Sequence, residues 1–586
     1  MRKQRFATLF ATTFLCISLA QNGRSQIILP SNSDNLVPVT VAGGLLHNFN
    51  GVESLNCDVM SNPHGGFLWA TVVGGTTGGI PAYDASLYVQ YNGPLSADVS
   101  IPLSQYAHLL DVVISDNMSG KLGDDYLVTI VYSSDLGTGG ISQIYTETYP
   151  MTGVGTGSVT LGTTSVAGPV QISSSSNGTA HPHIDLFGDR TKFSWSGHHA
   201  LHQYAIVWHE PAFPSGYDVY MSIGDITASS GTVPVCPLFK INANTTDAYL
   251  PDVGAQKRLT APVLPTDLDR TAWVTYRSSN GYELGLTRVD IDNTPVPSIT
   301  QTSSTLFSSA TLRLDDQPRI EAQALANVTT GVATYTVTGA YGPSIFCFND
   351  AVSPSIPPVP TDTFTVDSTR TYGSYAACVT GVGPNMASGS YVGKTNFSIG
   401  YLSLYPYPSS PGTGNYFCNR IYMSGGGPKP LPYPFIHPYP YYKVNSNQTY
   451  ISAGTPPWSV IAMANSSNSG DDLLTIWYKG LGGAPYAGHI YYKFAGNTYS
   501  YKNTGVANAQ SHPLYEAYPN PATDHITIQG VKNAAYTVRN MLGQTIASGS
   551  VDDQNSTIST NSMASGTYML TLTTEASAQS IKFVKQ

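Results

Sequence analysis

Apolar and polar residues alternate in short runs along most of this chain, and the three-to-four-residue spacing of an amphipathic helix is absent. Strict alternation marks half-buried strands, because successive side chains on a pleated backbone point to opposite faces. The runs also recur in a fixed order. Three stretches align without gaps: Pro182, His183, Ile184, Asp185, Leu186; Pro251, Asp252, Val253, Gly254, Ala255; and Pro318, Arg319, Ile320, Glu321, Ala322. Each leads to a second apolar run: YAIVWHE from Tyr204, TAWVTYRSS from Thr271, VATYTVTG from Val332. A third run follows a Gly-containing turn: YDVYMSIG from Tyr217, YELGLTRV from Tyr282, SIFCFND from Ser344.

The same order is traceable at FLWATVVGG from Phe67, YLVTIVYSS from Tyr126, NFSIGYLS from Asn396 and DLLTIWYKG from Asp472, giving seven units. Each leaves room for a fourth strand, as in SVTLGTTSV from Ser158 or CPLFKINA from Cys236. Four-stranded modules repeated at roughly 65 residues are the pattern of a β-propeller, whose blades cover their faces only against neighbouring blades. A string of β-sandwiches also places short strands at regular spacing, but does not require the proline-led motif to recur with that period. The expected fold is all-β, a seven-bladed β-propeller-like domain over 51–505 followed by a small C-terminal Ig-like β-sandwich over 514–586. Residues 21–50 read as a lead-in and 506–513 as a linker.

Composition supports strands. Only 11% of residues are charged, against roughly 25% in an ordinary soluble domain. The 39 tyrosines, 56 glycines and 40 prolines favour strands and turns and interrupt helices. The formal charge of −9 and the lack of a Lys/Arg cluster argue against nucleic acid and anionic membranes as partners. At the amino terminus, Arg2, Lys3 and Arg5 precede an apolar run from Phe6 to Ala20, which reads as a signal peptide over 1–20. A transmembrane segment is the rival, but the run falls short of the roughly 20 residues a span needs and is broken by threonines. Five cysteines remain beyond it, Cys57, Cys236, Cys347, Cys378 and Cys418, with no zinc or redox spacing. Buried free thiols are the expectation, ahead of one or two disulfides.

The last seventy or so residues break the repeat. LYEAYPNPATDHITIQG, from Leu514, brackets Asn520 with two prolines and then alternates Ile526 and Ile528 with polar residues. Tyr518, Pro519, Asn520 and Pro521, the MLGQ turn with Gly543, the segment with Gly566 and Tyr568, and the strand ending in Lys585 and Gln586 follow in order. This set resembles the type A C-terminal sorting domain of the type IX secretion system of Bacteroidota. The resemblance implies export through the N-terminal signal and recognition of the tail by the outer-membrane translocon and sorting machinery. Removal of the tail, with release or surface anchoring, is implied as well. It gives the repeat region no identity.

Candidate chemistry in that region is sparse. His181, His183, His198, His199, His202 and His209 cluster, and His183 and Asp185 share one strand face. His181, His183 and Asp185 are therefore the metal candidates, weighed against plain blade-edge histidines, since no HEXXH occurs. Aspartates preceding second strands, Asp124 and Asp125, Asp267 and Asp269, Asp471 and Asp472, offer oxygen ligands for calcium, though Asp also serves turns for backbone reasons alone. No other cofactor is expected. SSDLGTGG from Ser133 resembles in part the Asp-box turn of sialidases, with Ser133, Asp135 and Gly137 in place, but lacks the closing aromatic and occurs once. Glycoside hydrolysis needs two carboxyl groups at a defined separation. Glu210 and Glu283 are the first catalytic candidates, and nothing in the sequence pairs them. In KPLPYPFIHPYPYY, from Lys429, Tyr433, Tyr439 and Tyr441 would present aromatic faces for ligand binding, or simply pack an inter-strand insertion on its own blade. The leading expectation is a secreted or surface-anchored, non-enzymatic binding or adhesion protein for glycan or protein. The alternative is an extracellular polysaccharide-active enzyme on the same scaffold, and a structural surface-layer component is a third class.

Overall fold

Runs rich in Val, Ile, Tyr and Thr become strands, and every regular element among the described residues is a strand. The computed structural model describes residues 35–37, 51–495 apart from stretches between strands (among them 117–124, 190–201, 259–269, 351–361 and 425–434), and 516–586 apart from 530–532, 541–543, 553–555 and 574–577. The chain divides into two compact units, 1–504 and 505–586.

In the first unit, antiparallel sheets follow one another along the chain. Their first strands are β1 (Gly51–Ser61), β2 (Ala107–Asp116), β3 (Ala180–Asp189), β4 (Ala248–Ala255), β5 (Arg319–Leu325), β6 (Ser374–Val382) and β7 (Ile461–Asn465). β1 pairs with Phe67–Thr76, which pairs with Tyr83–Asn92 and then Ala97–Pro102. β4 is followed in the same order by Arg270–Ser278, Glu283–Asp292 and Ser298–Ser308. At their far ends β3 and β5 flank the short strand Lys257–Arg258 in parallel, so successive first strands run side by side in one direction. That is the relation a propeller imposes on its innermost strands. Residues 35–37, which the sequence places in a lead-in, join the last sheet instead. Asn35 and Leu36 pair antiparallel with Tyr492 and Tyr491, and the Val37 amide donates to Ile490 O at 2.9 Å. A strand from the start of the chain thereby completes the sheet built by the end of the unit.

The second strands carry the core. Trp69, Trp208, Trp273 and Trp477 are buried with Tyr132, Tyr204 and Tyr276, each burying on the order of 150–250 Å² of mostly apolar surface. Two glycines on third strands make room for these rings. A Cβ on Gly285 would stand 2.2 Å from the Tyr276 ring, and one on Gly224 would stand 2.5 Å from the Tyr204 hydroxyl. At Pro182 and Pro251 the proline-led motif is a β-bulge, which the preceding unit repeats without a proline, whereas the strand after Pro318 pairs in unbroken register. Register shifts fall between His108 and Asp111, Ala180 and His183, and Tyr249 and Asp252. Within them Leu109, His181 and Leu250 hold φ of 53°, 52° and 51°, a left-handed conformation costing about 1–2 kcal/mol for a residue with a Cβ. Each lies two positions before the residue aimed at the centre, so the bulge re-aims the same side chain in three successive units.

The tail forms two small sheets. One joins β8 (Glu516–Tyr518), β9 (His525–Gln529) and β12 (Thr557–Ser559); the other has the order β11–β10–β13–β14, from Thr545–Asp552, Asn533–Asn540, Gly566–Thr573 and Ala578–Lys585. Ile526, Ile528, Val538, Leu570, Leu572 and Phe583 fill the space between them, and Tyr568 stacks on Phe583 at 5.6 Å. The YPNP turn runs along the outer side of β14. Asn520 Oδ1 accepts from the Val584 amide at 2.9 Å, the Ala522 amide donates to Val584 O at 2.7 Å, and the Gln586 amide donates to Ala522 O at 2.9 Å. Both the Tyr518–Pro519 and Asn520–Pro521 bonds are cis.

Candidate functional site

Strands β1 to β7 all line one cavity of about 130 Å³, room for several water molecules. Alternation along the strands sets side chains in two tiers: Asn56, Asp111, His183, Asp252 and Arg319, then two residues further on Asp58, Asp185, Glu321 and Thr380. The aspartates do one thing repeatedly. Asp58 Oδ2 accepts from the Ile114 amide at 2.7 Å, Asp111 Oδ2 from Ile184 at 3.1 Å, Asp185 Oδ2 from Ala255 at 2.8 Å and Asp252 Oδ2 from Ile320 at 2.9 Å. Each carboxylate thus reaches to the first strand of the next sheet. The other oxygen of Asp58, Asp111 and Asp185 accepts from the following amide of its own strand.

His183 stands where three of these groups meet. Its Nδ1 lies 3.1 Å from Asp111 Oδ2, 3.6 Å from Asp252 Oδ1 and 3.1 Å from Arg319 Nη1, and Arg319 Nη1 is 3.9 Å from Asp252 Oδ1. The contacts to Asp111 and Arg319 are exclusive, since Nδ1 with its proton donates to the carboxylate and without it accepts from the guanidinium. Burial pushes the Asp252 carboxyl up, and the charges of His183 and Arg319 oppose that rise. The centre is a charge-paired clasp across four strands. Among the described residues no group of three or more His, Cys, Asp and Glu side chains is disposed to hold a metal ion.

A second group sits at the leading end of β3 and β4. The His181 and His209 rings stack at 5.3 Å, His209 meets Tyr217 edge-on at 5.1 Å, and Tyr217 lies 6.2 Å from Tyr249. Tyr217 is 40% exposed and His209 only 7%. The run of rings therefore leads from the buried bulge out to solvent. The Tyr217 amide donates to Asp247 at 2.8 Å, and burial raises the Asp247 carboxyl. Burial lowers His209 to about 3 and, with the charges of nearby histidines and Arg319, holds His181 well below its ordinary value. Both imidazoles are neutral at pH 7. Because the folded values lie below the unfolded 6.5, the unfolded chain takes up more protons between pH 6.5 and about 3, and stability falls as pH drops through that window. The melting temperature is expected to fall more steeply from pH 7 to 4.5 in the natural chain than in a His209→Phe variant; equal slopes would refute this.

The residues singled out from sequence are placed as follows. Asp185 lines the central cavity, whereas His183 and His181 line a small separate pocket with Arg319, and the His181 ring also stacks on His209. Glu210 Oε1 accepts from Trp208 Nε1 at 2.8 Å, and Glu210 faces Asp218 in register, in a different sheet from Glu283. Neither glutamate lines the cavity. Tyr433, Tyr439, Tyr441, Gly543, residues 1–20 and 506–513, and Asp124, Asp267, Asp269, Asp471 and Asp472 lie outside the described residues. Asp125 accepts from the Gly153 amide at 3.0 Å. Ser133 of the partial Asp-box is buried and bonded to Thr179 O at 2.9 Å. Cys57, Cys236, Cys378 and Cys418 are free thiols, and burial raises Cys378 to about 12. Tyr217 and Tyr249 carried no spacing signal, because they come together from different sheets.

Residues 516–586 match the family described as the secretion system C-terminal sorting domain. The match makes this an exported chain, secreted or attached to the cell surface, that engages the type IX machinery. Curated proteins give no match. Among solved structures, the chain is similar to the Aleuria aurantia lectin in complex with α-methyl-L-fucoside at 10% identity and a TM-score of 0.31, covering 70% of this chain and 98% of that one. It is similar to an α-L-arabinofuranosidase from Fusarium graminearum with an iminosugar inhibitor at 9% identity and 0.31, covering 80% and 98%. Drosophila Plexin A in complex with Semaphorin 1b gives 8% identity and 0.31, covering 79% and 88%. At such values the likenesses say nothing about what this chain does. No helix among the described residues is long and apolar enough to cross a membrane.

Proposed function

We propose that the first unit is a seven-bladed propeller that, once exported, binds extracellular glycan without catalysis through the face where β3 and β4 begin. The observation that carries this reading is the continuous run His181, His209, Tyr217 and Tyr249, which ends in an exposed tyrosine beside Asp247. Sugar rings present axial C–H faces that stack on such aromatics and hydroxyls that a neighbouring carboxylate accepts. The rings are prearranged by packing, so little ordering is needed on binding. In support, the carboxylates of the central cavity are engaged with backbone amides of the next strand rather than left for chemistry.

One observation favours the competing enzyme: Glu210 stands opposite Asp218 across a strand pair, two carboxyl groups on one sheet face. Asp218, however, is held by Lys240 at 2.8 Å and by Asn242 at 3.1 Å, and Glu210 by Trp208. Combined Tyr217→Ala and Tyr249→Ala substitution is expected to weaken glycan-array binding at least about ten-fold, since two stacking contacts are lost. Unchanged binding by that variant would eliminate this face as the site.

A further inference from the structure

The YPNP turn closes one edge of the tail's larger sheet, which directs attention to the opposite edge. β14 has Asn520 and Ala522 along its outer side. The smaller sheet ends on β8 and β12, three residues each. β11, by contrast, runs eight residues, and among the described residues nothing pairs with its outer side. Exported proteins protect such edges with charges, proline, bulges or brevity, because an open row of amides and carbonyls recruits other strands. From Thr545 to Val551 β11 has no charged residue and no proline. Its single register shift makes Ile546 the extra residue of a bulge near the start of the strand, since Thr545 and Ala547 oppose the consecutive Arg539 and Val538; from Ala547 to Asp552 the pairing is regular.

The side chains sort by face. Val551 is buried, Ala547 packs against the core and Gly549 lies beneath Tyr536, whereas Ile546, Ser548 and Ser550 are exposed, Ile546 by 42%. The result is an uncharged strip about 23 Å long, with one apolar anchor among small hydroxyls. Two copies pairing edge to edge would contribute one exposed isoleucine each, short of the roughly 1,200 Å² that a stable interface buries. A transient partner met during export needs less.

We infer that β11 is the edge by which the tail is read: an extended segment of an outer-membrane component of the sorting machinery adds to it as a further strand, with Ile546 filling an apolar pocket. Main-chain hydrogen bonds supply the affinity and the outward side chains the selectivity. The inference rests on the tail being the export address, and its test separates the two. The full chain, with its own N-terminal segment, is expressed in a bacterium carrying a type IX system in four forms: natural, I546K/S548K, Thr573→Lys on the interior strand β13, and lacking 505–586. The lysine pair, which charges the edge but sits at exposed positions, is expected to cut the extracellular amount at least about ten-fold with an unchanged melting temperature. Thr573→Lys is expected to leave export unchanged. A photo-crosslinking residue in place of Ser548 is expected to trap an outer-membrane component of the system, identified by mass spectrometry. Normal export of I546K/S548K alongside retention of the truncated chain, or adducts only with a second copy, would overturn the docking edge alone. Export of the truncated chain would overturn the address as well.

Discussion

Replacing Asp252 by alanine is expected to lower the unfolding free energy by about 3–5 kcal/mol, the range for removing one partner of a buried charge network. The carboxylate is 8% exposed, accepts from Ile320 on the next first strand, and stands 3.6 Å from His183 and 3.9 Å from Arg319, itself 9% exposed. Its removal takes the carboxylate away from a buried guanidinium and the acceptor away from a buried amide together. Asp58→Ala is the comparison, because Asp58 likewise accepts from an amide of the next first strand, Ile114, and from Val59 on its own strand. There the expected loss is about 1–3 kcal/mol, that of leaving buried donors unsatisfied. Denaturant unfolding followed by tryptophan fluorescence measures both. Equal losses would mean that the His183–Arg319 pairing adds nothing to the clasp.

The second large effect concerns export. A chain ending before residue 505 is expected to fold its first unit, which has its own buried core clusters, and yet to remain inside the cell envelope. Immunoblots of medium and cell fractions read the result. Asn520→Ala in the full chain removes the acceptor that holds the Val584 amide, a loss of about 1 kcal/mol. It is expected to reduce export less than removal of the tail does. Equal extracellular amounts of natural and truncated chains would show that residues 516–586 are dispensable for transport.

The strands and the tail were legible in the sequence because both are local. Alternation in YAIVWHE or YLVTIVYSS specifies a strand whatever surrounds it, and the YPNP turn works within one small sandwich. The proline-led motif was legible as a repeat, but its meaning was not. Pro182 and Pro251 mark bulges whose left-handed residues, His181 and Leu250, are not glycines, so no sequence rule points to them. The Asp185 and Asp252 carboxylates gave no hint of their acceptor role, since their partners Ala255 and Ile320 lie about seventy residues further on. The same holds for the ring run: His209 and Tyr217 are neighbours through a hairpin, but Tyr249 enters from the next sheet. Likewise Gly224 and Gly285 read as weak points in a strand until the Tyr204 and Tyr276 rings are seen above them. Residues 35–37 carry too few positions to show alternation, and only their pairing with Tyr491 and Tyr492 reveals them as a strand.

Whether this exported protein holds its ligand or cleaves it is tested most directly by incubating the purified natural chain with mixed extracellular polysaccharides, then assaying retention and new reducing ends together. The account predicts retention on at least one polysaccharide, abolished by Tyr217→Ala with Tyr249→Ala, and no release of reducing ends. Reducing ends that accumulate with the natural chain and vanish with Glu210→Gln would contradict it.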